Sequence, residues 1–437
     1  MAESRRSRWA SVALSALVIT CAWLAIAPAV TGSKIILATA SGSPSWLIGV
    51  FKPLGLGALA GGEAGVTYYL PLMLAALLWG IVVWLAPALS ARTLMWTSFG
   101  LVGVFFLAPP LLSQDVFSYI AYARLGGEHS LNPYAYRPFD IPSDPVFPYA
   151  GSKDAVDVYG PFFTLISYPL AWISVPAAFW ILKAIAAFSV AGIVALVRWI
   201  AERVDAVPAR AVAIVGLSPA TLVHVVAGAH NEALTMLIVL AGIALVLTRG
   251  DASREPVGGF VSALAVGVKA SAAVPLVFML AAARRKAAMF GAMLGAGALT
   301  IAAALIGFGG DALGAINLIS SNQDRSSRWS LPHKTVDGID ALLGSVDRAA
   351  ATDAVRLIFT LVLAVVVVYL IRRSWKRPET WLANAGWATL GVLLASAWLV
   401  PWYLLWLLPF TALSRDRALT WASVIFCAYT LVIAVPF

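Results

Sequence analysis

The side chains of this sequence best suited to acid–base chemistry lie between Ser113 and Arg137. This segment follows an apolar run, Leu94 to Leu112, and Asp115 comes three residues after the end of that run. A carboxylate at the mouth of a membrane helix is costly if it faces lipid, so ionisable groups there are interpreted as functional or cavity-facing. Asp115 is therefore the first candidate for a catalytic base.

Helical spacing would give Asp115 polar neighbours. If residues 115–125 form a helix, Asp115 shares one face with Ser118, Tyr119 and Tyr122. A second interpretation needs no chemistry, because Ser113 or Asp115 can cap a short interfacial helix whose tyrosines belong to an aromatic belt. The pattern alone leaves both interpretations open.

The amino-acid composition indicates the kind of structure that positions these residues. Of the 437 residues, 61% are hydrophobic and 12% are charged, and 17 are tryptophan. Soluble domains do not have this composition, and the apolar runs approach the length that spans a bilayer. We therefore predict an all-α polytopic membrane protein with about 11 to 13 transmembrane helices and interfacial helices in its outer loops.

The charge pattern indicates a topology rather than a nucleic-acid partner. The net charge of +9 comes from small basic clusters between apolar runs, not from one basic face. Arg5, Arg6 and Arg8 place the N-terminus in the cytoplasm, ahead of a retained membrane anchor at residues 10–30. Cys21 and Cys427 both fall in apolar runs, which argues against a disulfide or a cysteine metal site.

Placing the apolar runs with this rule gives one integral-membrane domain over residues 1–437. An outer catalytic loop covers 113–175, including an interfacial helix at 161–175, and a second outer loop covers 308–352. The remaining spans lie near 70–88, 94–112, 177–200, 210–227, 233–248, 288–307, 353–371, 381–397, 400–413 and 418–435. The inner loops are too short for a nucleotide-binding domain and contain no glycine-rich phosphate loop.

The stretch 257–283 does not fit a single crossing, because basic residues flank it at both ends. Two half-length helices that meet near Lys269 satisfy both flanks, since about thirteen residues reach only about 20 Å of a roughly 30 Å core. Broken helices at this depth usually line a cavity. A cation there calls for an anion beside it, although a lysine that extends to the outer headgroups is the alternative.

Five short motifs in order resemble a known family. They are Asp115-Val116-Phe117-Ser118-Tyr119, Asn132-Pro133-Tyr134, Tyr159-Gly160-Pro161, His230-Asn231-Glu232 and Val268-Lys269-Ala270, and Pro401-Trp402-Tyr403 matches a later family segment. The family is that of the actinobacterial polyprenol-phosphomannose-dependent α-1,6-mannosyltransferases that build lipomannan, in the GT-C superfamily. This chain is shorter than the family pattern and departs from it at ARLGGEHS, residues 123–130.

The resemblance implies an inverting transfer of mannose on the outer face of the plasma membrane. The donor would be polyprenyl-phosphomannose, the acceptor a glycolipid or mannan, and Asp115 the general base, without a cofactor or metal. Membrane lipids are also expected to contact the protein, and no nucleic-acid partner is expected. Alternatives are another polyprenyl-phosphate sugar such as arabinose, or a lipid-linked sugar transporter or flippase that uses Asp115 and Lys269 as relay groups.

The expected binding residues fall into two groups. The donor phosphate would be bound by Lys269, Arg325, Arg328, His333 and Lys334, although plain interfacial anchoring is equally consistent with those in the second outer loop. Sugar or acceptor contacts are expected from Tyr119, Tyr122, Asn132, Tyr134, Asp157, Tyr159, His230, Asn231 and Glu232, with helix capping as the alternative for the last two. One histidine with scattered acids gives no convergent metal-ligand set. Trp398, Trp402 and Trp406 are expected to serve packing and the interfacial belt.

Overall fold

A computed structural model describes residues 2–38, 44–56, 65–248, 252–312, 326–344 and 346–433. These ranges contain no β-strand, which confirms the predicted all-α class. The α-helices of seven or more residues in these ranges are α1 Ala2–Ile26, α2 Leu70–Leu85, α3 Ala91–Leu107, α4 Asp115–Gly127, α5 Pro161–Ser167, α6 Val175–Ala201, α7 Pro208–Gly216, α8 Glu232–Val246, α9 Glu255–Leu264, α10 Ala273–Ala282, α11 Lys286–Phe308, α12 Leu331–Leu343, α13 Arg348–Lys376, α14 Trp381–Ala395, α15 Leu404–Leu413 and α16 Arg417–Ile433.

Several of these helices are apolar enough to cross a membrane. Within the described ranges, five are also long enough: Arg5–Ile26, Thr67–Ala88, Val175–Ala201, Lys286–Phe308 and Arg348–Lys376. A sixth crossing results if α7 and the π-helical segment Ala220–Ala227, which meet at a 50° bend, form one span. Other apolar helices, such as α3 and α8, have only 10–17 residues. The protein is polytopic, and the higher helix count stays a prediction.

The predicted break near Lys269 is confirmed. Helix α9 ends at Leu264, α10 begins at Ala273, and Lys269 between them has an extended backbone, with φ −156° and ψ 130°. Each half-helix has ten residues, or about 15 Å, too short for the membrane core. The amide of Gly160 donates to the carbonyl of Val268 at 3.0 Å, so the outer loop is joined to the break.

Glycine is required at position 160 by this contact. A Cβ at Gly160 would clash with the backbone of Gly267. Pro161 then occupies the first position of α5, where a missing N–H costs nothing. The motif Tyr159-Gly160-Pro161 thus lets the outer loop approach the broken helix closely and start a new helix at once.

The connection from α3 to α4 is held from two sides. The buried ammonium of Lys183 on α6 donates to the carbonyl of Ala108, just after α3 ends. The amide of Leu112 donates to the carbonyl of Ile35 at 2.9 Å, and Leu112 itself has φ +58°. These contacts determine where α4 begins, and therefore where Asp115 lies.

Asp115 does not occupy the N-cap position of α4. The N-cap residue is Gln114, which makes no side-chain cap bond, and Asp115 is the first helical residue. The hydroxyl of Ser113 accepts from the amide of Asp115 at 3.1 Å. Neither Ser113 nor Asp115 is therefore the N-cap, although Ser113 accepts one of the free amides at the start of α4.

The segment that departs from the family pattern, residues 123–130, anchors the outer loop. Arg124 donates through Nε to both carboxylate oxygens of Asp144 at 2.8 Å and through Nη1 to the carbonyl of Ala171 at 2.6 Å. His129 contacts the same carboxylate at 2.8 Å. Burial alone would raise the pKa of Asp144, but the bonds from His129, the Val146 amide and Arg124 outweigh it and lower the pKa. This buried ion pair has a structural role.

Candidate active site

A cavity of about 450 Å³ opens at the start of α4. Asp115 and Lys269 are the charged residues that line it. Hydroxyl groups come from Ser118, Tyr122, Ser152, Tyr159, Ser271, Ser396 and Tyr403, and indole rings come from Trp398, Trp402 and Trp406. One carboxylate, one ammonium, several hydroxyls and an aromatic wall are suited to a polar substrate that carries a negative charge and an apolar tail.

Asp115 reaches the cavity while a buried histidine lies behind it. The Asp115 side chain is 31% exposed, and its Oδ2 lies 3.6 Å from Nδ1 of His230, which is fully buried. Burial, then the ammonium of Lys269 and His224, lower the pKa of His230, so the ring is neutral. A neutral imidazole beside the carboxylate can orient Asp115 without removing its negative charge.

Trp402 covers His230 from the cavity side. Their ring centroids lie 3.9 Å apart with an interplanar angle of 18°, and Trp402 lines the cavity. His230 itself does not line the cavity. The indole of Trp402 thus separates His230 from the cavity, and a direct sugar contact by His230 stays a prediction.

Lys269 already has an anion, and that anion belongs to the chain. Its Nζ donates to Oε1 of Glu232 and, at 3.3 Å, to Oδ1 of Asn231. Glu232 is fully buried, whereas Lys269 is 16% exposed toward the cavity. The rings of Tyr159 and Tyr403 lie 5.4 and 5.3 Å from Nζ. The lysine is thus held at the cavity floor, and the snorkelling interpretation is wrong.

Asn231 and Glu232 also lie below the floor rather than on it. Neither residue lines the cavity, and both are buried. Asn231 occupies the N-cap position of α8 without a side-chain cap bond. Both side chains contact Lys269, which fixes the ammonium of the broken helix against α8, and their contact with sugar stays a prediction.

Of the four predicted tyrosines, two line the cavity and two do not. Tyr122 and Tyr159 are part of the lining, and the hydroxyl of Tyr122 donates to the carbonyl of Ala155 at 3.2 Å. Tyr119 is buried behind them, with its ring edge-on to Tyr159 at 4.8 Å. Tyr119 therefore packs against Tyr159 and lies outside the cavity lining.

Asp157, Asn132 and Tyr134, three further predicted site residues, lie outside the cavity lining. Asp157 is buried and accepts from the amide of Tyr159 at 2.8 Å and from Thr164 Oγ1 at 2.7 Å. Burial raises its pKa to about 7. Tyr134 donates to the carbonyl of Tyr159 at 2.8 Å, so Asp157 and Tyr134 together fix the backbone of Tyr159.

Asn132 connects the outer loop to a transmembrane helix. Its Nδ2 donates to the carbonyl of Phe308, the last residue of α11, at 2.7 Å and to Oδ2 of Asp311 at 3.0 Å. The motif Asn132-Pro133-Tyr134 thus positions the loop that carries Tyr159.

The second outer loop, residues 308–352, contacts the rim of the cavity, but its basic side chains in the described residues do not line the cavity. Arg325 lies outside the described residues, and Arg328, His333 and Lys334 do not line the cavity. His333 and Lys334 approach Asp337 at 3.7 and 3.5 Å on the surface of α12. The amide of Ser327 donates to the carbonyl of Ala397, between the lining residues Ser396 and Trp398, at 2.8 Å.

Three tryptophans contribute to the cavity lining. Trp398, Trp402 and Trp406 all lie in it, while packing and an interfacial belt stay their predicted roles. Trp398 precedes the turn Pro401–Tyr403, Trp402 lies within that turn and Trp406 lies in α15, so the motif Pro401-Trp402-Tyr403 is the sequence signal for this wall. Trp406 Nε1, Ser118 Oγ and Ser271 Oγ are buried polar atoms in this lining without a hydrogen-bond partner in the protein.

A larger cavity, about 890 Å³, opens near the start of α9 and the end of α15. Two of its carboxylates are already engaged. Glu255 accepts from the amides of Arg284 and Arg285, and Asp416 accepts from Trp387 Nε1 and from the first amides of α16. No three histidine, cysteine, aspartate or glutamate residues of the described ranges converge as a metal site. The cavity at Asp115 is therefore the candidate active site.

Comparisons with known proteins identify the family of the chain. The family model "α-(1→6)-mannopyranosyltransferase, N-terminal domain" matches residues 29–285, and that of glycosyltransferase family 87 matches residues 158–436. The chain is 28% identical over 375 residues to α-(1→6)-mannopyranosyltransferase A of Mycobacterium tuberculosis, covering 79% of this chain and 68% of that protein. It is 30% identical over 173 residues to a second α-(1→6)-mannopyranosyltransferase of that organism, covering 34% of this chain and 26% of that protein.

No solved structure matches the chain. The two family models together cover most of the sequence, and both include the segment that holds His230, Glu232 and Lys269. The chain belongs to the α-(1→6)-mannopyranosyltransferase family and is a membrane glycosyltransferase of family 87.

Proposed function

We propose that this protein transfers mannose from a polyprenyl-phosphate donor to a hydroxyl of a glycolipid or mannan acceptor on the outer face of the plasma membrane. The anomeric carbon forms a bond to the acceptor oxygen, the bond to the phosphate oxygen breaks, and the acceptor proton goes to Asp115. The observation that carries the proposal is the cavity where Asp115 and Lys269 are the only charged lining residues of the described chain.

Asp115 has the properties of a general base for this step. It is partly exposed, points to the cavity, and has the neutral ring of His230 behind it. Inversion at the anomeric carbon needs one carboxylate that removes a proton and no covalent intermediate. His230 acts as a positioning residue, since it contacts the carboxylate and is separated from the cavity by Trp402.

Lys269 is the candidate contact for the donor phosphate. Its partner Glu232 is buried below, so the exposed part of the ammonium faces the cavity. A departing phosphate gains negative charge, and a preorganised ammonium stabilises that charge most where water is scarce. The tryptophan wall offers an apolar surface for the first isoprene units of the donor.

The outer-face orientation rests on the distribution of charge. The end of α13 remote from the cavity carries Arg372, Arg373 and Lys376, and such clusters mark the cytoplasmic side. The N-terminal residues of α1 carry Arg5, Arg6 and Arg8. A donor linked to a lipid suits that geometry, because no soluble nucleotide is needed outside the cell.

Reconstitution tests the proposal. Purified protein in liposomes, given radiolabelled polyprenyl-phosphomannose and a mannolipid acceptor without any ion gradient, should form an extended product that α-mannosidase digests. A parallel reaction with polyprenyl-phosphoarabinose should give much less product. The proposal fails if the protein moves lipid-linked sugar between leaflets but forms no glycosidic bond, which is the transporter result.

A further inference from the structure

The C-terminal third of α13 presents a groove of about 730 Å³ along one helix face. Its first part is lined by Val365, Val368 and Tyr369, and its second part by Arg372, Arg373, Lys376 and Arg377. Steps of three and four residues place all of these side chains on the same side of the helix. The groove thus has an apolar half followed by a basic half.

The apolar half is not covered by the rest of the protein. Val365 is 71% exposed, Val368 56% and Tyr369 62%. Helix α13 has 29 residues and is the candidate span with the smallest buried share, 11%. In a bilayer these three side chains therefore contact acyl chains.

The basic half lies at the level of the headgroups. A helix of 29 residues is about 43 Å long, longer than the hydrocarbon core of about 30 Å, so its last turns extend into the polar region. The groove lining contains four cations and no carboxylate. No ion pair within the described ranges involves any of the four.

This groove is separate from the candidate active site. Helix α13 begins at Arg348, which pairs with Asp337 and Asp340 of α12 at 2.7 Å. The loop before α12 reaches the active-site rim through the bond from Ser327 to Ala397. The N-terminal end of α13 is thus on the side of the active site, and the groove lies at the other end.

We propose that this face of α13 binds an anionic phospholipid of the leaflet opposite the active site. The phosphodiester contacts the guanidinium and ammonium groups of Arg372, Arg373, Lys376 and Arg377, and an acyl chain lies along Val365, Val368 and Tyr369. The charge of the groove selects the occupant, because four cations that share the groove lining with no carboxylate, next to an apolar strip, complement a negative headgroup with a hydrocarbon tail. A zwitterionic lipid offers no net charge to them.

The test compares two double variants of the full-length protein. Protein in nanodiscs of phosphatidylcholine with one-fifth phosphatidylglycerol is analysed by native mass spectrometry for retained lipid. Arg372→Gln/Lys376→Gln should lower the affinity for phosphatidylglycerol roughly tenfold to thirtyfold, from about 1 kcal/mol for each basic residue. The matched control, Arg5→Gln/Arg8→Gln, removes two charges of another basic cluster on the same side, reports the diffuse attraction to anionic lipid, and should lower the affinity for phosphatidylglycerol clearly less than the groove variant does.

Equal losses in both variants would mean diffuse attraction and would overturn the proposal, as would a wild-type protein that retains both lipids equally. A photoreactive phosphatidylglycerol gives an independent readout. Its crosslinks to the wild-type protein should map to residues 365–377, and crosslinks confined to other helices would also refute the site.

Discussion

Lys269 has two expected roles, the buried ion pair with Glu232 and the contact to the donor phosphate. Replacing Lys269 and Glu232 singly and together separates these roles, which a single variant would not. The structure pairs the ammonium with a carboxylate that is fully buried. Lys269→Met therefore leaves Glu232 as an uncompensated buried charge, and breaking such a pair costs about 3–5 kcal/mol of stability. Glu232→Gln leaves the ammonium without its anion and should be destabilising for the same reason.

The double variant Lys269→Met/Glu232→Gln should recover most of that stability, because it removes both charges from the buried position. Donor binding should behave differently. A charge-assisted contact to phosphate contributes about 1.5–3 kcal/mol, so the double variant should bind the donor roughly tenfold to a hundredfold more weakly than wild type. Glu232→Gln should keep donor binding, since its lysine still faces the cavity.

Two assays in the same detergent give the result. Thermal unfolding reports stability, and fluorescence anisotropy with a labelled polyprenyl phosphate reports donor binding. Wild-type affinity in the double variant would show that Lys269 does not contact the phosphate. Unchanged melting temperatures in both single variants would refute the buried ion pair.

Three further outcomes follow from the geometry. Trp402→Ala should lower the transfer rate by exposing His230, and Trp402→Phe should restore much of that rate by keeping a stacked ring. Values of kcat and KM equal to wild type in both variants would contradict the role of Trp402 in shielding His230. Burial raises the pKa of Asp157 from 3.8 to about 7, so the folded state binds this proton more tightly than the unfolded state, and stability should fall as pH rises from about 4 to 7. Asp157→Asn should flatten that part of the melting-temperature profile. An unchanged profile would contradict the raised pKa of Asp157. An impermeant thiol reagent should label Glu128→Cys but not Glu379→Cys in intact cells. The background should be low because Cys21 and Cys427 are buried. The reverse labelling would contradict the proposed position of the active site on the outer face.

Much of the helical framework could be predicted from the sequence, because its signals are local. The apolar runs and their basic flanks predicted α6, α11 and α13, and the basic residues at both ends of 257–283 predicted the break at Lys269. Local composition carries this information, since a helix in lipid must be apolar along its length and cations concentrate on one side.

The active site was harder to predict, because its contacts join distant parts of the chain. Lys269 was expected to need an anion, but its partner Glu232 lies 37 residues earlier, and no spacing rule connects them. His230 was predicted as a sugar contact, and the structure buries it behind the stacked ring of Trp402, which lies 172 positions away in the sequence. Asp157 and Tyr134 looked like ligand contacts for the same reason, although they hold the backbone of Tyr159.

The transfer rate of Asp115→Asn tests the central claim most directly. Asparagine keeps the shape of the side chain and most of its hydrogen bonding, so folding and donor binding should persist. Transfer with a saturating donor should fall about 10²–10⁴-fold, the usual contribution of a general base. The loss should lie toward the upper end of that range, because the tryptophan wall limits the access of water that could replace the base. Near-normal transfer by Asp115→Asn, in protein whose melting temperature matches wild type, would contradict the assignment of Asp115 as the base.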